Sequence, residues 1–275
     1  MRFDDSALDA VYRAIFERRD MRHFTSAPVD PAVLARLLRA AHHAPSVGFM
    51  QPWRFIRITD PARRDAIHAL VDAERRATAD ALGERHDEFM RLKVEGVREC
   101  GELLVVALTD DRERHVFGRR TLPEMDLASA ACAIQNMWLA ARAEGLGMGW
   151  VSLFDVDALR TLLGMPAGAK PIAVLCLGHV DAFYAKPMLE QERWAARMPI
   201  EACLFENGWG EPAGHGPAVT ATVDPDGGSG GTAASAVSEV PTAAQPDTSA
   251  PTPAPHACDP EPAVALSARS AERPT

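Results

Sequence analysis

Cysteine is scarce in this chain and shows no pattern: five residues, at 100, 132, 176, 203 and 258, with no Cys-x-x-Cys spacing. That argues against a disulfide framework or a zinc ribbon and predicts reduced thiols in a cytoplasmic protein. Uninterrupted apolar runs near the ~18 residues of a membrane-spanning helix are absent, and the opening Met1-Arg2-Phe3-Asp4-Asp5 has no apolar h-region. Neither membrane insertion nor export is expected. Excess positive charge is also missing; the net charge is −9, which argues against nucleic acid as a partner. Gly145-Leu146-Gly147-Met148-Gly149 does not follow the G-x-G-x-x-G dinucleotide fingerprint, and there is no Walker A sequence. His42 and His43 are adjacent, and neighbours on a helix point about 100° apart, so no metal site is predicted.

Aromatics disappear after Gly210. From Glu211 to Thr275 there is no Phe, Trp or Tyr, while 11 of the 21 prolines fall there. Such a segment cannot bury enough apolar surface to offset chain entropy, so residues 211–275 are expected to be a disordered tail. The tail carries eight acidic and two basic side chains, which leaves residues 1–210 near neutral, with 27 basic and 30 acidic. Those 210 residues make one domain with a substantial core.

Within that domain, Leu8, Val11, Tyr12, Ile15 and Phe16 recur at helical spacing, which predicts a helix over 6–19 with Ser6 as N-cap. Asp30-Pro31 and Asp60-Pro61 are cap-plus-first-turn signals. The second starts a charged, Ala-rich helical run to about Arg98, broken near Gly83. Trp53 to Ile58 alternates like a strand, and Leu103 to Leu108 is a short run of buried-strand length. Residues 124–144 form the most apolar helix, with Gly145 just beyond its end. Gly147 to Leu153 and Pro171 to Gly178 are further strands, separated by a short helix that Asp155 caps. Segments 188–198 and 199–210 close the domain. Strands interleaved with long helices give an α/β or α+β fold.

Two stretches carry chemistry. Arg18-Arg19-Asp20-Met21-Arg22 ends the first helix with three guanidiniums and a carboxylate. The arginines either complement the helix macrodipole or supply planar, always-charged donors to a phosphate. Asp20 is either their salt-bridge partner or a general base. Flanking cations would keep it ionised and burial would oppose that. The second stretch, Ala44-Pro45-Ser46-Val47-Gly48-Phe49-Met50-Gln51-Pro52-Trp53, holds a hydroxyl and an amide in a proline-bounded loop suited to a ring or a ribityl chain. Ser152 is either a strand residue bonded to backbone or a hydroxyl facing a ligand. Gly147 and Gly149 allow close backbone approach, to a ligand or to packed chain.

These stretches, in this order, resemble the flavin site of the nitroreductase superfamily. Asp20 in place of the usual small polar residue, with Gly48 to Trp53 and Trp150-Val151-Ser152, is similar to its 5,6-dimethylbenzimidazole synthase branch. The resemblance covers about residues 5–210. It implies an α+β FMN-binding fold with a mixed central sheet flanked by helices, and a homodimer whose domain-swapped C-terminal arm includes Phe205 to Gly210. It places Arg18, Arg19, Arg22 and Arg197 (Arg193 competing) on the FMN phosphate and Ser46 at the phosphate or ribityl end. Met50 and Gln51 would lie nearer the ring, and Met21 beside the flavin. Asp20 and Ser152 would act at the reacting centre. The implied reaction is an O2-dependent fragmentation of FMNH2 to 5,6-dimethylbenzimidazole and erythrose 4-phosphate, without a metal. The FMNH2 would come from a separate NAD(P)H-dependent flavin reductase. An NAD(P)H-dependent FMN nitroreductase or a cob(II)yrinic acid a,c-diamide reductase is the alternative within the superfamily.

Overall fold

The computed structural model describes residues 2–210; the tail expected to be disordered, 211–275, lies outside the described residues. Four strands, β1 (Trp53–Arg57), β2 (Glu102–Leu108), β3 (Gly147–Val151) and β4 (Lys170–Gly178), form one sheet in the order β1-β2-β4-β3. The helices are α1 (Asp5–Glu17), α2 (Pro31–His42), α3 (Pro61–Ala81), α4 (His86–Arg91), α5 (Met125–Ala143), α6 (Val156–Leu162) and α7 (Met188–Gln191). The architecture is α+β. Every pairing between these strands is antiparallel. The parallel component of the expected mixed sheet is an isolated bridge between Asp20 and Met148.

Aspartate caps fix where the helices begin. Asp30, Asp60 and Asp155 accept the Ala32, Ala62 and Ala158 N–H groups at 2.7, 2.9 and 2.7 Å, which satisfies first-turn donors that have no partner inside the helix. In α1 the cap is Asp4 and not the expected Ser6. The Asp4 carboxylate accepts the Ala7 N–H at 2.9 Å, and the Ser6 hydroxyl donates to that same carboxylate at 2.8 Å. The run from Pro61 also differs from expectation. It stops at Ala81, Gly83 takes a left-handed φ of 55°, and helix is not resumed beyond Arg91. At the end of α4 the Met90 and Leu92 carbonyls accept the Arg75 guanidinium at 2.5 and 3.0 Å.

Alternation along β2 builds two cores. Leu104, Val106 and Leu108 face α2 and α5, whereas Leu103 and Val105 face Ile67 and Val71 of α3 and Leu159 of α6. All seven β2 residues are buried, which is why the sequence shows an unbroken apolar run where a one-sided strand would alternate. The edge strands β1 and β3 carry the chemistry-bearing segments.

Candidate active site

An edge strand leaves backbone groups without ladder partners. On β3 the segment after α1 takes them up. The Met21 N–H donates to the Met148 carbonyl at 3.0 Å. The Trp150 N–H donates to Asp20 Oδ1 at 3.1 Å, and the Trp150 carbonyl accepts Arg22 Nη2 at 3.0 Å. Arg22 Nη2 also donates to Asp20 Oδ2. Both carboxylate oxygens and the Trp150 peptide are therefore joined in one closed network. Gly149 makes it possible: a Cβ there would collide with the Met21 carbonyl and approach Arg22 Nη1 to 3.3 Å and Asp20 Oδ1 to 3.5 Å. The space opened by Gly149, and by Gly147 against Met21 and Val180, is thus filled by the protein's own chain.

A cleft of about 230 Å³ opens above this network. Asp20, Arg22, Trp150 and Ser152 line its polar side; Phe89, Leu92, Leu189 and Trp194 line its apolar side. The Trp194 ring is held between Phe89, at 6.1 Å, and the Arg85 guanidinium, at 3.4 Å. Asp20 keeps 41% of its side-chain surface accessible. Burial nonetheless raises its carboxyl above the ordinary value, against the opposing pull of Arg22, the Trp150 N–H and Arg18. The arrangement can hold a carboxylate of raised proton affinity, beside a free-standing hydroxyl, against a flat ligand. The cleft is smaller than the about 300–1,000 Å³ of sites that enclose a small-molecule ligand.

The arginines separate into different roles. Arg18 lies over the Trp138 ring at 4.7 Å; burial lowers its pKa, Asp20 acts the other way, and Arg19 and Arg197 lower it further. Arg18 and Arg197 therefore share one electropositive region, and neither forms an ion pair among the described residues. Arg193, the competing candidate, is exposed and has a left-handed φ of 57°. Arg19 is directed elsewhere. Its guanidinium donates to the Phe16, Arg18 and Ala185 carbonyls at 2.6, 3.0 and 2.7 Å, closing the end of α1. The Arg22 side chain, 10% exposed, folds back onto Asp20 and Trp150 through Nη2. Met21 points the other way. At 1% exposure it is a core side chain, since alternation along the edge segment turns it inward where Asp20 turns out.

The proline-bounded loop sits elsewhere on the molecule. Ser46 Oγ accepts the Gln51 N–H at 3.0 Å, and the Val47 N–H donates to Ser129 Oγ of α5 at 3.0 Å. Gly48, Phe49 and Gln51 all take left-handed φ values, of 52°, 54° and 49°. Two of these are non-glycine residues in a region that costs energy to occupy. At the other end of α5 the Trp138 indole N–H donates to the Arg19 carbonyl at 3.1 Å. Helical rise puts about 13 Å between positions 129 and 138, and the loop leads into β1 whereas Asp20 borders β3, the opposite edge. One chain brings Asp20, Arg22, Trp150 and Ser152 together; it does not bring Ser46, Met50 or Gln51 to them.

Residues 15–179 match the Nitroreductase family. The chain belongs to that family. It is 42% identical over 202 residues to the 5,6-dimethylbenzimidazole synthase of Rhodospirillum rubrum, across 72% of this chain and 94% of that protein. A 5,6-dimethylbenzimidazole synthase of Rhodobacter capsulatus is 37% identical over 203 residues, across 73% and 98% of the two chains. The solved NADPH:FMN oxidoreductase of Vibrio harveyi, complexed with NAD+, superposes with a TM-score of 0.55 at 22% identity, covering 74% of this chain and 79% of that one. At that identity the likeness is one of fold.

Several residues of this nitroreductase-family site carry no signal as isolated letters. Phe89, Leu92 and Trp194 sit in charged or irregular sequence, and only tertiary packing brings them to the cleft. Tyr184 is another; its hydroxyl accepts the Arg22 N–H at 3.2 Å and bonds His23 Nδ1 at 2.6 Å. Ser129 offered a readable sign, a hydroxyl amid the alanines on the buried face of α5.

Proposed function

We propose that this chain is an enzyme of cobalamin lower-ligand synthesis. It would fragment reduced FMN, with O2 as co-substrate, to 5,6-dimethylbenzimidazole and erythrose 4-phosphate. The observation that carries this reading is Asp20, a carboxylate of raised proton affinity fixed at the mouth of the cleft, in a chain whose relatives in two organisms bear the synthase name. The residues present fit a flavin: Arg18 and Arg197 offer cations to its phosphate, and Arg22 has buried N–H groups, at Nε and Nη1, without an acceptor. When bound, the reduced ring supplies the electrons that O2 takes up.

The protein's part is positioning and proton transfer. Asp20, ionised, accepts a proton from the ribityl chain or ring as carbon–carbon bonds break; a carboxylate whose pKa is raised toward working pH is a better base than an ordinary one. Ser152 presents its hydroxyl to the same centre. Phe89, Leu92, Leu189 and Trp194 keep that centre poor in water.

The site is completed by a second copy of the chain. The ~13 Å of α5 between Ser129, bonded to Val47, and Trp138, bonded to Arg19, favours a homodimer in which each flavin takes Asp20 and Ser152 from one copy and Ser46, Met50 and Gln51 from the other. Val11, Tyr12, Ile15 and Phe16 of α1 stay exposed, as do Phe117, Met198 and Trp209, and apolar surface on that scale marks an interface. The last three hydrophobic groups belong to a loop and to a C-terminal arm that reaches across the partner. The reaction takes place in the cytoplasm, with FMNH2 delivered by a separate NAD(P)H-dependent reductase. Aerobic incubation of the purified protein with chemically reduced FMN, followed by mass spectrometry, tests the reading. 5,6-Dimethylbenzimidazole is the expected product, and intact FMN with consumption of added NAD(P)H would refute it.

A further inference from the structure

We propose that Arg22 is a positioning residue for Asp20, holding its carboxylate against the Trp150 peptide at the cleft, and is not a ligand of the flavin phosphate. The inference rests on the proposed flavin fragmentation, which it deepens by dividing the arginine cluster into two jobs. Arg22 is the most enclosed of the three: its side chain is 10% exposed. Its Nη2 bonds Asp20 Oδ2 and the Trp150 carbonyl together. The Trp150 N–H bonds the other oxygen, Asp20 Oδ1, at 3.1 Å. The carboxylate is thereby clamped on both oxygens by one guanidinium and one peptide, and Gly149 leaves no slack beside them. With Nη2 bonded twice and the side chain 10% exposed, the guanidinium stays at the Trp150 peptide, its Nε and Nη1 enclosed beside the cleft and not extended toward Arg18 and Arg197. Arg18 and Arg197, which carry no such bonds, are the cations left for the phosphate.

The charged groups around Asp20 are few. Arg22 and Arg18 face it from its own segment, and Arg197 acts on Arg18. From β3 come the Trp150 peptide and Val151, and the other lining residues among those described, from α4, the segment after it, the 152–153 turn, α7 and Trp194, are uncharged. Behind Arg22 lies the Cys176 thiol of β4, which the guanidinium's charge reaches. Arg22 is thus the principal counter-ion that keeps the Asp20 carboxylate ionised against burial.

Three readouts on the full-length protein separate this from a phosphate role. The first is the affinity for FMN relative to riboflavin, which lacks the phosphate, read by flavin fluorescence. Arg22→Met should keep the wild-type preference for FMN, whereas Arg18→Met should lose most of it. The second is the titration of the Asp20 carboxyl by carbon-13 NMR, with its resonance assigned from Asp20→Asn. In Arg22→Met it should move to higher pH by about one pH unit or more, with Arg22→Lys in between. The third is the acidic limb of benzimidazole formation, which should move with that titration. If Arg22→Met does not fold, Arg22→Gln, which also removes the charge, carries the same test. Equal affinities for FMN and riboflavin in the Arg22 variants would make Arg22 a phosphate ligand, and an unmoved Asp20 titration would make it packing alone; either overturns the proposal. If the wild type forms no benzimidazole, the proposed reaction fails, and the first two readouts still decide Arg22.

Discussion

At the scale of single residues, the site depends on what is missing at position 149. A Cβ there meets the Met21 carbonyl, a main-chain atom that cannot turn aside. Gly149→Ala should therefore push the 20–22 segment off β3, costing about 1–3 kcal/mol as overpacked sites do. Chemical denaturation would read the stability loss, and turnover should fall further than stability because the Asp20 network opens. The raised proton affinity of Asp20 fixes the sign of a pH effect. Turnover that needs the ionised carboxylate should fall on the acidic side at a pH above the ~3.9 of an ordinary aspartate. An Asp20→Glu variant, reaching further from the Trp150 peptide, should move that limb. Asp20 and Ser152 were legible as letters beside Arg and Trp. The separate tasks of Arg18, Arg19 and Arg22 were not, because three neighbouring arginines look alike until the edge of β3 decides which one turns inward.

At the scale of elements, α5 holds the strained loop in place. Its Ser129 accepts the Val47 N–H and donates to the Met125 carbonyl at 2.6 Å. Near its start, buried Asp126 accepts Arg112 at 2.9 Å and Arg119 at 3.0 Å, which ties down the segment whose Phe117 backs onto Gly48. Ser129→Ala leaves the half-buried Val47 N–H without its partner, a cost of about 0.5–1.5 kcal/mol. Its expected signature is a raised KM for reduced FMN with a smaller change in kcat, measured by steady-state kinetics. Most elements could be read from the sequence because caps, turn glycines and apolar periodicity coincide at their boundaries. The end of the helical run after Gly83 could not. Its residues stay helix-compatible up to Arg98, and it is Arg75, drawn from the preceding helix, that claims the Met90 and Leu92 carbonyls.

At the scale of the whole molecule, a site divided between two copies predicts complementation. Mixing Asp20→Asn chains with Gln51→Ala chains, after dissociation and reassembly, should restore turnover that neither variant has alone, since each mixed dimer contains one intact site. No recovery would place both residues in the same chain's site. The sequence resemblance implied a dimer, but a single sequence cannot say which residues would meet across it; the proposed pairing rests on the length of α5 and the strand order. The account as a whole is tested most directly by a single-turnover experiment in air, with reduced FMN bound to wild-type protein and to Asp20→Asn. Wild type should release 5,6-dimethylbenzimidazole, and Asp20→Asn should bind the flavin with similar affinity yet return it as intact FMN. Benzimidazole formed by Asp20→Asn at the wild-type rate would contradict the central claim that this carboxylate moves the proton.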